Sequence, residues 1–157
     1  MKKINFLVNN LGASQLGYFL TRNINEEYAS NRHDVDYIVF YEIMHRYCLK
    51  PNFAIMSGCE IWGQEGITIA TSSDLALKLI KTSGPERRIL YLWDLDWIRG
   101  QQRNFYETYA NLYTNTSIEI ICRSEDHSKL LQNSFNIKPI GIVEDFNLKQ
   151  FRELLCI

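Results

Sequence analysis

Asp94 and Asp96 lie between Trp93 and Trp97, just past the apolar run Arg88-Ile89-Leu90-Tyr91-Leu92. If the backbone stays extended there, alternate residues share a face, so both carboxylates project to one side and Trp93, Leu95 and Trp97 to the other. Paired carboxylates can act as base and acid, hold a divalent cation such as Mg²⁺ or Mn²⁺, or accept hydrogen bonds from hydroxyl groups. A neighbouring tryptophan offers a plate on which a sugar or a base can stack. The competing reading is structural: one aspartate caps the following helix, the other pairs with Arg99 or Arg103, and both tryptophans fill the core. The two stay open, because an unpaired buried acid is costly and a crevice relieves that cost.

Asn9-Asn10-Leu11-Gly12-Ala13-Ser14 marks a second place. The free N–H groups where a helix begins can hold an anion or a sugar hydroxyl, although the same residues also make an ordinary turn and helix cap. Neither GxGxxG nor a phosphate loop with its Lys-Ser/Thr is present, which argues against dinucleotide or triphosphate binding by that route. In Cys122-Arg123-Ser124-Glu125-Asp126-His127, Arg123 can bind phosphate or carboxylate and Ser124 opens a helix. His127 reads as a base or as a solvated surface residue. The acids of Val143-Glu144-Asp145-Phe146-Asn147 read as a cap for the closing helix, and Glu42-Ile43-Met44-His45 and Gly58-Cys59-Glu60 are weaker polar groups at strand ends. The nucleophile elbow GxSxG of a serine hydrolase is absent.

Each of these groups follows an apolar run. Strand signals fall at Ile4 to Val8, Tyr37 to Tyr41, Phe53 to Met56, Ile67 to Thr71, the run before Trp93, Ser117 to Cys122, and Pro139 to Val143. Between them the period changes to helical: Leu16, Phe19, Leu20, Ile24 and Tyr28 after Ser14; Leu75, Leu77, Leu79 and Ile80 after Ser72 or Ser73; Phe105, Tyr106, Tyr109, Leu112 and Tyr113; Leu130, Leu131 and Phe135; and Leu148, Phe151, Leu154 and Leu155. Asn31 to Asp34 reads as a polar turn, and Ile43 to Lys50 as a short helix stopped before Pro51. Alternating strands and helices predict an α/β fold, a Rossmann-like, mostly parallel sheet with helices on both faces in three α/β/α layers. Such a sheet sets its ligand crevice at the strand ends.

With 157 residues, the chain is expected to form one domain over 1–157. Apolar residues at 46% and charged residues at 22% are those of a folded globular chain, and a formal charge of −1 gives no field to draw in nucleic acid. Cys48, Cys59, Cys122 and Cys156 share no CxxC spacing and read as reduced core thiols of a cytosolic protein. With His33, His45 and His127 they form no zinc pattern. The apolar run after Lys2 and Lys3 is broken by Asn5, Asn9 and Asn10, so neither a signal peptide nor a membrane span is expected.

The order of elements, with Ile-Ile-Cys-Arg-Ser-Glu-Asp-His-Ser-Lys-Leu-Leu-Gln-Asn-Ser-Phe over 120–135 and Pro-Ile-Gly-Ile-Val-Glu-Asp-Phe over 139–146, resembles the N-terminal, acceptor-side half of GT-B type glycosyltransferases. That resemblance implies strand-end loops facing a cleft, with Asn9, Asn10, Gly12 and Asp94 on the cleft side. The Asp94-Leu95-Asp96 spacing is also similar to the DxD motif of GT-A type enzymes, which binds the metal-diphosphate of the donor. The implied ligand is a sugar or nucleotide-sugar, with Asp94 or Asp96 as base or as ligand to Mg²⁺ or Mn²⁺. Arg123 and Ser124 would lie toward phosphate, and Trp93 or Trp97 would form a stacking wall. A GT-B enzyme carries a second Rossmann-like domain for the donor, which would begin where this chain ends at Ile157. A homo-oligomer or a partner chain supplying that half is therefore expected. The alternative is a noncatalytic structural or interaction module, supported by nine Tyr and three Trp, types enriched at interfaces. A small chain without targeting signals suits the cytoplasm, including that of a virus-infected cell.

Overall fold

A computed structural model describes residues 2–30, 34–99 and 103–157, apart from the side chains of 99 and 103–105. Most of the expected turn from Asn31, and the expected roles of Arg99, Arg103 and Phe105, fall outside the described residues. Seven strands form one sheet: β1 (Lys2–Asn10), β2 (Val35–Ile43), β3 (Ala54–Ser57), β4 (Ile67–Ala70), β5 (Arg87–Leu92), β6 (Glu119–Cys122) and β7 (Gly141–Ile142). Their order is β3-β2-β1-β4-β5-β6-β7, and every neighbouring pair is parallel. The helices are α1 (Gln15–Ala29), α2 (Ser73–Leu79), α3 (Asp96–Arg99), α4 (Arg103–Tyr113), α5 (Glu125–Phe135) and α6 (Leu148–Leu155).

A strand buried on both faces must be apolar at successive positions, and β1 and β5 meet that requirement. Phe6, Val8, Ile89 and Tyr91 point into one core with Leu20 and Ile24 of α1 and Phe151 and Leu155 of α6. The alternate residues Leu7, Leu90 and Leu92 point into a second core with Leu75 and Leu79 of α2, Leu112 and Tyr113 of α4, and Leu131 of α5. The result is a three-layer, Rossmann-like α/β/α fold. The two helices of the first face are joined by an ion pair: Arg152 Nη1 lies 2.6 Å from Glu27 Oε1, both side chains largely buried, though not aligned as a hydrogen bond.

From β1 the chain steps outward to β2 and β3, returns to β4 on the other side of β1, and continues through β5 to β7. The direction of winding therefore reverses between β1 and β4, and an open parallel sheet presents its crevice at such a point. Because all strands run the same way, every C-terminal end lies on one rim.

Several expectations are corrected. β1 runs through Asn9 and on to Asn10, which is in register with Ile43, so both asparagines belong to the strand and not to the loop after it. No helix forms over Ile43 to Lys50: β2 runs through Ile43, and the mostly exposed residues beyond it offer no apolar stripe to bury. Only Cys122 is a core thiol. Cys48, Cys59 and Cys156 are exposed, lying in the irregular segment after β2, in a 3-10 helix over Gly58–Ile61, and at the left-handed C-cap of α6. Among the described residues no helix is long and apolar enough to cross a membrane.

Candidate functional site

The reversal point is closed by short polar contacts. Asn9 Nδ2 donates to Ser72 Oγ at 2.9 Å, and the same hydroxyl oxygen caps α2 by accepting from the Leu75 amide. Asn10 Oδ1 accepts from the Gly12 amide at 2.7 Å. A Cβ on Gly12 would stand 2.7 Å from that oxygen and 2.8 Å from His45 Cβ, so the turn itself requires a glycine there. Ser14 caps α1 by accepting from the Gly17 amide at 3.0 Å. At the end of β1, Asn9 thus ties the strand to the cap of α2, while Asn10 and Ser14 bond within the turn into α1.

Beyond β5 the backbone does not stay extended. The strand ends at Leu92, the Trp93 amide turns back to donate to the Tyr91 carbonyl at 2.8 Å, and α3 begins at Asp96. The two carboxylates consequently have separate tasks. Asp94 Oδ1 accepts from the Leu95 amide at 3.0 Å, while Asp96 Oδ2 accepts from the Ser73 amide at 3.0 Å, in the first turn of α2. Ser73 is further fixed by a 2.9 Å hydrogen bond between its hydroxyl and that of Tyr113. Among the described residues no group of three or more His, Cys, Asp or Glu gathers to hold a metal ion. Asp96 is fastened to a helix amide and Asp94 to the amide that follows it, so the pair does not form the shared carboxylate face expected for Mg²⁺ or Mn²⁺.

The tryptophans separate as well. Trp93 is only 9% exposed and stacks on Phe146 with centroids 5.0 Å apart, within the core of the α1 and α6 face. Trp97 packs on the other face, edge-on to Tyr113 at 5.5 Å and to Phe135 at 5.2 Å. An extended backbone would have set both on one face; the turn at Trp93 sends them to opposite layers. As a stacking wall, Trp93 is already covered: the Arg123 guanidinium carbon sits 3.8 Å from its ring centroid, a cation–π contact.

Arg123 and Ser124 lie where expected, at the end of β6 and the cap of α5, with Ser124 Oγ accepting from the His127 amide at 3.2 Å. The guanidinium is held by Asp145, which accepts from Nε at 2.8 Å and lies 2.7 Å from Nη2. Asp145 and Phe146 both have positive φ, at 41° and 59°, and their carbonyls accept from Asn23 Nδ2 at 2.7 and 2.9 Å. Helix α6 is capped by Asn147, whose Oδ1 accepts from the Gln150 amide; the acids expected as its cap are turned away from that duty. Arg123, Ser124, His127, Glu144 and Asp145 line an open hollow of about 310 Å³. His127 Nδ1 sits 3.3 Å from the Leu92 carbonyl, so the tautomer with the proton on Nδ1 donates there and leaves Nε2 as an acceptor.

The rim therefore carries two groupings. One, at the reversal point, joins Asn9, Ser72, Ser73 and Asp96, with Asn10 and Gly12 beside it. The other joins Arg123, Ser124 and His127 to Glu144 and Asp145. Burial raises the phenols of Tyr91 and Tyr113 above their ordinary range and pushes the Cys122 thiol up to about 12, so these three remain protonated and inert near neutrality. Comparison with protein-family models, curated proteins and solved structures returns no match.

Proposed function

We propose that this chain is a glycosyltransferase-like domain that binds a sugar or nucleotide-sugar along the rim of its sheet. The supporting observation is that a sheet of seven parallel strands, whose winding reverses between β1 and β4, carries Asn9, Asn10, Asp94, Asp96, Arg123 and Ser124 at its C-terminal rim. The amides of the two asparagines suit sugar hydroxyls. Arg123 suits a phosphate, which would compete with Asp145 for the guanidinium. Asp94, on the turn between β5 and α3, would act as the base, while Asp96 holds the Ser73 amide at the start of α2.

The test is a thermal-shift series with nucleotide-sugars, with and without Mn²⁺ or Mg²⁺. A ligand that binds only the folded chain at a hundredfold excess over its Kd stabilises it by about 2.7 kcal/mol. The expected result is a raised melting temperature that does not depend on the cation and shrinks in Asp94→Asn. No shift with any donor defeats the reading.

A second reading is a noncatalytic module that keeps the fold and works with a copy of itself or with a partner chain. It is favoured by the engagement of Asp96 with Ser73 and of Arg123 with Asp145 and Trp93, which leaves two of the polar groups in structural contacts. Self-association in light scattering, together with a flat thermal-shift series, would select it.

A further inference from the structure

On the α2 face, the β1–β3 side of the sheet is thinly covered. A parallel crossover usually contains an α-helix, but the return from β3 to β4 has only residues 58–66 and the 3-10 helix Gly58–Ile61. A cavity of about 410 Å³ is left beside α2, floored by Leu7 and Ile61. That volume lies within the roughly 300–1,000 Å³ typical of small-molecule sites.

Its walls have a definite chemistry. Lys78 Nζ pairs with Glu42 Oε2 at 2.8 Å, whereas Lys81 has no carboxylate partner among the described residues, so the lining holds two ammonium groups against one carboxylate. An anion is favoured there. Trp62, also on the wall, is 60% exposed, in contrast to Trp93 at 9%. An indole left in water at the side of a cavity is a stacking surface for a flat ring. A Cβ on Gly58 would come within 3.1 Å of Glu42 Oε1, so the glycine leaves room for the carboxylate oxygen that Lys78 does not use. That oxygen can accept from ligand hydroxyls.

We propose that this cavity binds a small aromatic anion of the nucleoside monophosphate type, with the base on Trp62, the phosphate at Lys81 and sugar hydroxyls toward Glu42. It lies on the flank of α2, lined by none of the residues assigned to the carbohydrate reading, and it does not depend on that reading. The cavity contains its own reporter: Cys59 is exposed within it, with Sγ 3.1 Å from Ser57 Oγ. Cys156 is an exposed control at the opposite rim, by the N-terminal ends of the strands, where its carbonyl accepts from Lys2 Nζ at the start of β1.

The experiment is iodoacetamide labelling followed residue by residue by mass spectrometry, with adenosine 5′-monophosphate, adenosine or inorganic phosphate present. The monophosphate should slow alkylation of Cys59 several-fold and leave Cys156 unchanged, while adenosine and phosphate protect less. Lys81→Glu and Trp62→Ala, both at exposed positions, should each raise the concentration for half-protection by roughly tenfold, the effect of losing one charged or stacking contact. An unchanged Cys59 rate at millimolar monophosphate overturns the proposal. So does protection shared equally by Cys156, or protection that survives both substitutions.

Discussion

Asp96 joins two helices: its carboxylate accepts from the amide of Ser73 in α2 while its own backbone opens α3. Replacing it with Ala leaves that partly buried amide without an acceptor, which costs about 1–3 kcal/mol. Asp96→Ala is therefore expected to lower the unfolding free energy read from urea denaturation by an amount in that range. Asp96→Asn, which keeps an acceptor oxygen, should recover most of the loss. A fully stable Asp96→Ala would free this carboxylate for chemistry and restore the symmetric reading of Asp94 and Asp96. At this scale, what is legible in the sequence is what is local. Ser14, Ser72 and Ser124 cap the helices that follow them because a cap needs only an oxygen within three residues of a free amide. Asp145 is not legible in this way: its partner Arg123 lies 22 residues away, and the left-handed turn that aims it is held by Asn23, 122 residues away. The Trp62 and Lys81 cavity escaped for the same reason, although a Ser57–Gly66 connection too short for a helix was a usable signal.

Between elements, the shortest helices depend most on their ends. Helix α2 has seven residues, and Ser72 both caps it and receives Asn9 from β1. Loss of a serine cap costs about 1 kcal/mol, so Ser72→Ala should destabilise by at least that much and Ser72→Thr by less, as read by chemical denaturation. Glu27 and Arg152 make the complementary case for α1 and α6, with side chains only 14% and 11% exposed. Arg152→Ala would strand Glu27 in a nearly dry interface at a cost of about 3–5 kcal/mol, whereas replacing the pair together, Glu27→Leu with Arg152→Met, should cost far less. A double variant as unstable as the single one would mean that packing, and not the stranded charge, sets the loss. The strands and their alternation were readable because a sheet covered on both faces demands apolar runs, as β5 shows from Ile89 to Leu92. The failed helix after β2 was not readable from Pro51 alone. Proline limits where a helix can stop, but only burial of an apolar face makes one form there.

Across the whole molecule, the two apolar layers enclose hydroxyl and thiol groups that tie stability to alkaline pH. Tyr37, Tyr91 and Tyr113 are each at most 3% exposed, and burial raises their phenols well above the ordinary 10.0, with Glu27 adding to the effect at Tyr37. Burial likewise lifts the Cys122 thiol from 9.0 to about 12. Unfolding exposes these groups, and the unfolded chain sheds their protons first, from near pH 9 for the thiol and near pH 10 for the phenols, while the folded chain keeps them. The unfolded state then binds fewer protons, so stability is complete below pH 9 and falls as pH rises, by up to about 1.4 kcal/mol per pH unit for each group. Tyr37 isolates the effect, because its hydroxyl has no hydrogen-bond partner among the described residues. Tyr37→Phe should leave stability at pH 8 unchanged or slightly higher, since it removes an unsatisfied buried polar atom. Between pH 10 and 11 the variant's loss of stability should be shallower by about one group's share, read as the difference between the two chains in urea midpoints across that interval. Parallel curves for the two chains would mean that the Tyr37 phenol reaches water in the folded state, and that the α1 and α6 layer is looser than its packing implies.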